Sequence, residues 1–351
     1  AEFHHEEFGA LVKCFQEKPV PFPEVLLEKL QKAQGTTYLF IHKSMDGDCI
    51  GASCGLCEVI RNLGFDAKVV IAEPIQDKMA FLKIENYVAP FMDEEEISNA
   101  KTDLVIAVDC NEAHRMGKAG AIFESSENRV IIDHHITDME DKDEFFIVPE
   151  ASSASELAYY ISEELVKLTN KNADEVITKF ASQLFLTGII TDTGRFSYTN
   201  TRPETLVAAS KLMSNGADIT SVMYYFFDWK SKEEFLVSSA ASSTARFDMD
   251  GKIASVAVKN DLFEKYNANV DQIGEVVSKL RDVDGVVVAF VLRELGENKV
   301  RVNIRSQEPF DCASFAASYN GGGHLRAAGC TIEGDIDAIR EEIVNKAIEL
   351  L

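Results

Sequence analysis

The chain has 351 residues, 46% of them apolar, and a formal net charge of −23. That length exceeds one hydrophobic core, so two domains are expected, and no run approaches the ~20 apolar residues of a membrane span. So acidic a surface excludes a protein that coats long DNA or RNA, which needs a basic footprint to displace counterions.

Residues 24 to 33 place Val25, Leu26, Leu27 and Leu30 at helical spacing. A strand over about 37 to 42 runs into His42-Lys43-Ser44-Met45-Asp46-Gly47-Asp48, and Cys49 to Leu63 reads as a helix stopped by Gly64. Within it Cys54-Gly55-Leu56-Cys57 spells C-x-x-C, but without a second pair these cysteines read as small buried hydrophobes. The cysteine set is odd and scattered, which fits a reducing compartment, and the first residues show no signal-peptide pattern, so a soluble cytoplasmic protein is expected.

A strand at Ala67 to Ile71 is followed by a helix near 77 to 88 and by Asp93 to Glu96, read as a solvated acidic loop. Strand 103 to 109 ends in Asp109, a short helix covers about 118 to 124, and strand 128 to 133 ends in Asp133-His134-His135. This βαβαβ series calls for a parallel sheet with helices on both faces. Asp138 to Glu144 reads as a polar loop.

Ser153 and Glu156 match a capping box that opens a helix to about 168. Helices are expected at about 172 to 190, 203 to 214 and 218 to 228, with Pro203 at a permitted first turn and Asp192 just beyond the apolar segment Leu184 to Ile190. From about 230 to 244 the chain is small and polar, which suits a connector. Beyond it come hairpin signals: the turn at Asp250-Gly251, a strand at Ile253 to Val258, and a pair at Val286 to Leu292 and Lys299 to Ile304. The expected architecture is an α/β domain with a doubly wound parallel sheet over 1–229, a helical linker over 230–245, and a smaller α+β domain over 246–351.

The chemistry concentrates in acids and imidazoles that follow apolar segments. His42, Asp46, Asp48, Asp109, His134 and Asp192 are candidate metal ligands, with Asp109 placed to bridge two ions and Gly47 letting Asp46 and Asp48 point apart. Converging carboxylates repel one another, and divalent cations neutralise them. Oxygen and nitrogen ligands without thiolate point to Mn²⁺ or a similar ion, Mg²⁺ being less suited to histidines. Two ions ~3.5–4 Å apart would favour in-line attack on phosphorus. Asp133 is an alternative partner that orients a histidine, and His114 and Arg115 are placed for a phosphate. In the second domain, the glycines of Asn320-Gly321-Gly322-Gly323-His324-Leu325-Arg326 let backbone N–H groups approach an anion, with His324 and Arg326 beside them and Arg305 and Ser306 at a nearby strand end. The whole reading requires Asp109 within a few ångströms of both His42 and His134.

These residues resemble the DHH phosphoesterase family, named for the triplet Asp133-His134-His135. The likeness covers nearly the whole chain: the loop from His42 to Ser53, Val108-Asp109, the triplet, Thr191-Asp192-Thr193-Gly194, and a DHH-associated domain marked by Ile304-Arg305-Ser306 and Gly321-Gly322-Gly323-His324. Within the family the chain looks most like the oligoribonuclease and 3′-phosphoadenosine 5′-phosphate phosphatase branch, which includes cyclic-dinucleotide phosphodiesterases. The resemblance implies two Mn²⁺ ions per subunit, one on His42, Asp46 and Asp109, the other on Asp48, Asp109, His134 and Asp192. It implies that His135 faces the scissile phosphate while Arg305, His324 and Arg326 hold the far end of the substrate. Met45 stands where the family often has proline, and Asn320 where a fourth glycine is common. The expected activity is hydrolysis of dinucleotides and very short oligonucleotides to nucleoside 5′-monophosphates. Cyclic dinucleotides or 3′-phosphoadenosine 5′-phosphate are alternative main substrates, and an inactive nucleotide sensor is the alternative from another class. A homodimer is compatible with the family.

Overall fold

The computed structural model describes residues 21–89, 103–137, 142, 144–296 and 298–351. The acidic run at 93–96 and most of the loop at 138–144 lie outside the described residues. The chain divides into two compact units, Ala1–Trp229 and Lys230–Leu351.

The first unit opens with helix α1 (Phe22–Lys32), whose Phe22, Leu26 and Leu30 recur every fourth residue and are buried. Strand β1 (Thr37–Phe40) leads through the His42 loop into α2 (Gly47–Asn62), then β2 (Ala67–Val70). The segment expected as a helix near 77 to 88 is instead one 3-10 stretch, Asp77–Leu82, followed by the two-residue strand β3 (Val88–Ala89). Strand β4 (Val105–Val108), helix α3 (Ala119–Ser125), β5 (Arg129–Asp133) and β6 (Phe145–Ile147) follow. At three residues, β6 is too short to show a period, so it was not legible in the sequence.

All six strands are parallel, in the order β3-β2-β1-β4-β5-β6. Alternate strand residues feed two cores: Leu39, Ile106, Val108, Val130 and Ile132 pack on one face, and Phe40, Val105, Ala107 and Ile131 on the other, beside Ile122 and Phe123 of α3. Burial on both faces is why these strands read as unbroken apolar runs. The chain departs from β1 toward β2 on one side, while β4 lies on the other. The carboxyl ends of β1 and β4 therefore flank a topological switch point, where open α/β sheets form their crevices.

The rest of the unit is helical: α4 (Ala154–Thr169), a short turn at Ala173–Val176, α5 (Lys179–Asp192), α6 (Pro203–Ser214), and a last segment that is α-helical over Ile219–Met223 and π-helical over Tyr224–Asp228. Helix α2 meets α5 along Gly47, Gly51 and Gly55. A Cβ on Gly51 would lie 2.5 Å from the Leu184 carbonyl oxygen, and one on Gly55 would lie 2.5 Å from the Phe185 ring, so the two backbones touch. Cys54 and Cys57, on the same helix, are fully buried, and burial pushes the Cys57 thiol up to about 12.

In the second unit the sheet order is β11-β12-β10-β9-β8-β7, antiparallel except for the β8/β9 pair. The strands are β7 (Arg246–Asp248), β8 (Ile253–Val258), β9 (Val288–Glu294), β10 (Lys299–Ser306), β11 (Gly322–His324) and β12 (Ala327–Glu333). The stretch expected as a connector forms α7 (Lys232–Ser242), whose Val237 and Ala241 are fully buried in this unit's core. Its small residues pack closely against a partner and so belong to the unit. Helix α8 (Ile336–Leu350) closes the chain by packing Ile339, Ile343 and Val344 on the sheet.

Candidate metal centre

Three strand ends and two helix ends bring the acids and imidazoles together. His42 lies just past β1, Asp109 just past β4, and Asp133 ends β5 with His134 and His135 following. Asp46 is the N-cap of α2, its Oδ1 accepting from the N–H groups of Asp48 and Cys49, both at 3.0 Å. Its other oxygen, Oδ2, lies 3.7 Å from His42 Nε2. Asp192 arrives as the last residue of α5, carried there by the close α2/α5 contact.

Asp109 is the shared residue. Its Oδ2 is 3.4 Å from His42 Nε2, and its Oδ1 is 3.5 Å from both His134 Nε2 and His135 Nδ1. His134 Nε2 is also 3.8 Å from Asp48 Oδ2 and 3.7 Å from Asp192 Oδ2. The requirement that Asp109 stand near both His42 and His134 is met. Asp109 holds φ at +55°, in the left-handed region, while its N–H remains bonded to the Ile132 carbonyl at 2.9 Å. That conformation costs about 1–2 kcal/mol in a residue other than glycine, and strain of this kind gathers at functional sites.

Asp48 is buried and held from behind. Its Oδ2 accepts from Ala154 N–H at 2.7 Å and its Oδ1 from Ser155 N–H at 2.9 Å, so the carboxylate sits at the N-terminus of α4. Ser153 caps that helix by accepting from Glu156 N–H at 3.0 Å, but Glu156 answers by accepting from the N–H of Ser152, not of Ser153. Asp133 is a positioning group. Its Oδ1 accepts the N–H groups of His134 (2.7 Å) and His135 (3.1 Å) and lies 2.8 Å from His135 Nδ1. Donation from Nδ1 to this carboxylate leaves Nε2 of the half-buried His135 directed away from it.

The charges are strongly interdependent. Burial opposes ionisation of Asp109, but the imidazoles of His134 and His42 outweigh it and hold its pKa at about 2. Burial likewise opposes the charged form of His134, yet Asp109, Asp48 and Asp192 push it up to about 10. Burial raises Asp192 to about 6, and burial followed by the charges of Asp109 and Asp192 raises Asp48 well above the usual carboxylate range. Protons thus neutralise the cluster when nothing else does.

The donor set fits divalent metal. Ligands about 2.0–2.2 Å from a common ion lie roughly 3–3.5 Å apart, close to the 3.4–3.8 Å separations above, which are too long for hydrogen bonds. Asp109 Oδ1 is buried with no hydrogen-bond partner among the described residues. Two of the ligand groups are His42, Asp46, Cys49 and Asp109, and Asp48, His134 and Asp192, with donor atoms in each group within 4.8 Å of one another. Cys49 was not foreseen as a member. Burial, then the neighbouring acids, keep its thiol neutral, and its sulfur accepts the Asp46 N–H at 3.3 Å as part of the helix cap. The signal for it was its place three residues after the cap.

Other expected residues are not members of these ligand groups. His114 is exposed beside Glu112 at 3.8 Å, on a 3-10 turn whose Arg115 carbonyl accepts from Lys43 N–H at 2.8 Å. In the second unit, Ser306 is not an exposed contact: it is buried and donates its hydroxyl to the Phe310 carbonyl at 2.7 Å. Arg326 is committed to the Phe310 carbonyl (3.0 Å) and Glu308 (3.1 Å). Of the glycines, Gly321 and Gly323 are required by the hairpin, since a Cβ on either would lie within about 2.5 Å of β12 backbone, whereas Gly322 faces open space. Asn320, where glycine is common in the family, has φ of +55°, a conformation asparagine tolerates better than most residues. Arg305, whose Nη1 donates to the Ile304 carbonyl at 3.0 Å, and the exposed ring of His324 are the other polar side chains at that edge. A cavity of about 550 Å³ lined by Tyr159, Glu163, Lys211 and Asn215 lies elsewhere in the first unit and includes none of the ligand residues.

The model of the DHH family, N-terminal domain, matches residues 36–189, and that of the DHHA1 domain matches residues 250–350. A bifunctional oligoribonuclease and PAP phosphatase NrnA from Thermus thermophilus is 29% identical over 332 residues, covering 93% of this chain and 94% of that protein. The protein of the same description from Bacillus subtilis is 26% identical over 301 residues, covering 85% and 89%. Among solved structures, an exopolyphosphatase-related protein from Bacteroides fragilis superposes with a TM-score of 0.82 at 22% identity, covering 93% and 95%. An exonuclease RecJ bound to manganese superposes at 0.54 with 14% identity, covering 93% of each chain.

Proposed function

The chain belongs to the DHH family of phosphoesterase hydrolases, and from that membership we propose that it is a Mn²⁺-dependent phosphodiesterase that cleaves dinucleotides and very short oligonucleotides to nucleoside 5′-monophosphates. One observation carries the reading: a single buried carboxylate, Asp109, offers one oxygen to His42 and the other to His134 and His135. A purely structural acid has no use for that arrangement, whereas a bridging ligand between two cations does.

His42, Asp46 and Asp109 would hold one ion, and Asp48, Asp109, His134 and Asp192 the other. When bound, such ions lower the pKa of water and polarise a phosphoryl oxygen. The manganese bound by the RecJ neighbour and the nitrogen ligands here support Mn²⁺ as that ion. His135, oriented through Nδ1 by Asp133, presents Nε2 as a donor to the scissile phosphate. The helix N-terminus behind Asp48 keeps that carboxylate fixed while charge at the reacting centre changes.

The net charge of −23 favours short substrates whose few phosphates are met by local cations. Arg305 and His324, beside the glycines of the second unit's hairpin, would bind a phosphate. His114 and Arg115 would serve the same end near the first unit's site. The relatives' names support a second activity on 3′-phosphoadenosine 5′-phosphate, a monoester that the same cluster could hydrolyse.

Purified protein with Mn²⁺ should convert pApA to AMP and lose that activity in EDTA. Intact pApA with Mn²⁺ present would sink the proposal. Rates on pAp and on a cyclic diadenylate, measured side by side, rank the alternative substrates. Among the described residues no helix is long and apolar enough to cross a membrane.

A further inference from the structure

We infer that Asn200 is the positioning residue that sets Asp192 against Asp48 in the second cation group, an inference that rests on the metal-dependent reading above. Asn200 follows the turn after α5. Its Nδ2 donates to the Ser152 carbonyl at 2.9 Å and reaches the Asp192 carbonyl at 3.2 Å and Asp192 Oδ2 at 3.5 Å. An amide NH₂ has two protons, so one serves Ser152 and the other is shared between the two oxygens of Asp192. Asp192 Oδ2 is the same oxygen that lies 3.7 Å from His134 Nε2.

The other end of this bridge is what gives it meaning. Ser152 stands just before the α4 N-cap, and the first N–H groups of α4, Ala154 and Ser155, hold Asp48. Asn200 therefore ties the segment that fixes Asp48 to the residue that supplies Asp192. Asp48, His134 and Asp192 come from α2, the β5 end and α5, and nothing in the parallel sheet fixes the last of these. The α2/α5 contact brings the end of α5 to the site, and the bond through Asn200 fixes the Asp192 carboxylate within it.

The chemistry of the position requires an amide nitrogen. Three oxygens face Nδ2, two of them backbone carbonyls and one a carboxylate, so an acceptor there would be repelled by all three. Asn200 Oδ1 is buried and without a hydrogen-bond partner among the described residues. The residue accepts an unsatisfied oxygen in order to aim its nitrogen at Asp192, and an unsatisfied buried acceptor is tolerated only where something else compensates. Groups that orient metal ligands in this way typically contribute 10–100-fold to metal affinity.

The test uses the full chain, titrated with Mn²⁺ by calorimetry and by the EPR signal of free Mn²⁺, with thermal melts in EDTA alongside. Wild-type protein should bind two ions. Asn200→Ala should weaken one of them 10–100-fold and leave the other unchanged, with the metal-free melting temperature nearly that of wild type. Asn200→Asp, equal in shape but offering an acceptor, should weaken the same ion at least as much. At saturating Mn²⁺ the Asn200→Ala enzyme should recover most of its kcat, while at limiting Mn²⁺ it should be nearly inactive. An unaltered titration in either folded variant overturns the inference, as does loss of a cooperative melt in both, which would make Asn200 a stability residue alone. If wild-type protein itself bound no ion, the metal-dependent reading would fall first.

Discussion

Replacing Gly188 by alanine puts the site's packing to a direct test. Glycine in a helix interior is normally about 1 kcal/mol worse than alanine, so by propensity alone Gly188→Ala should stabilise α5. The structure reverses that expectation. A Cβ at 188 would fall 1.8 Å from Ser155 Oγ and 2.6 Å from Asp48 Oδ1. The serine hydroxyl can rotate away at the loss of its 3.3 Å bond to the Asp48 carbonyl, but Ser155 Cβ would still lie 2.6 Å from the new methyl, and the Asp48 carboxylate is pinned by two N–H groups at 2.7 and 2.9 Å. Either α5 must move outward or Asp48 must leave its seat. Overpacking of this kind costs about 1–3 kcal/mol, and after the propensity gain a net loss of up to about 2 kcal/mol remains. For a unit of this size that is a fall of up to roughly 8 °C in melting temperature. Because the displaced group is one of the proposed cation ligands, Mn²⁺ affinity should drop with it. Thermal melts in EDTA and a Mn²⁺ titration read both effects. A variant that melts at or above wild type and binds Mn²⁺ with wild-type affinity would refute the reasoning.

Asp109→Asn keeps a side chain that tolerates positive φ but removes the bridging charge; kcat/KM should fall by at least ~10³, about 4 kcal/mol, with the metal-free protein still folded by circular dichroism. Cation binding should release protons: His134 is raised to about 10, so at any pH below that an incoming ion must displace its proton, and below about 6 Asp192 adds a second. Mn²⁺ affinity should therefore rise with pH, and calorimetry at pH 7.5 in buffers of different ionisation enthalpy should report at least one proton released; a value near zero would contradict the charge assignment. In the second unit, Ser306→Ala should cost stability of about 1 kcal/mol through the lost bond to Phe310 while leaving KM for pApA unchanged. Arg305→Ala should do the opposite, raising KM with little change in melting temperature.

Much of the site was legible because its residues have no good alternative use. Aspartate and histidine immediately after a buried apolar strand are costly unless they meet a partner, so His42, Asp109 and His134 stood out in the linear sequence. The alternation of strands and helices likewise announced a parallel sheet. Ser306 and Arg326 were less legible for the converse reason: a hydroxyl or guanidinium beside glycines reads as ligand-facing, and only the folded loop shows that both bond the Phe310 carbonyl.

What the amino-acid order determined by itself was which acids and imidazoles would stand at the strand ends and the kind of sheet that would deliver them, since both follow from local burial and charge. Tertiary structure alone decided how they meet. The switch point between β1 and β4 sets His42 beside Asp109. The glycine contact of α2 with α5 carries Asp48 and Asp192 together, and the left-handed backbone of Asp109 is part of how it serves both sides. Those outcomes depend on which surfaces pack against which, and packing joins residues far apart in the chain that share no local pattern.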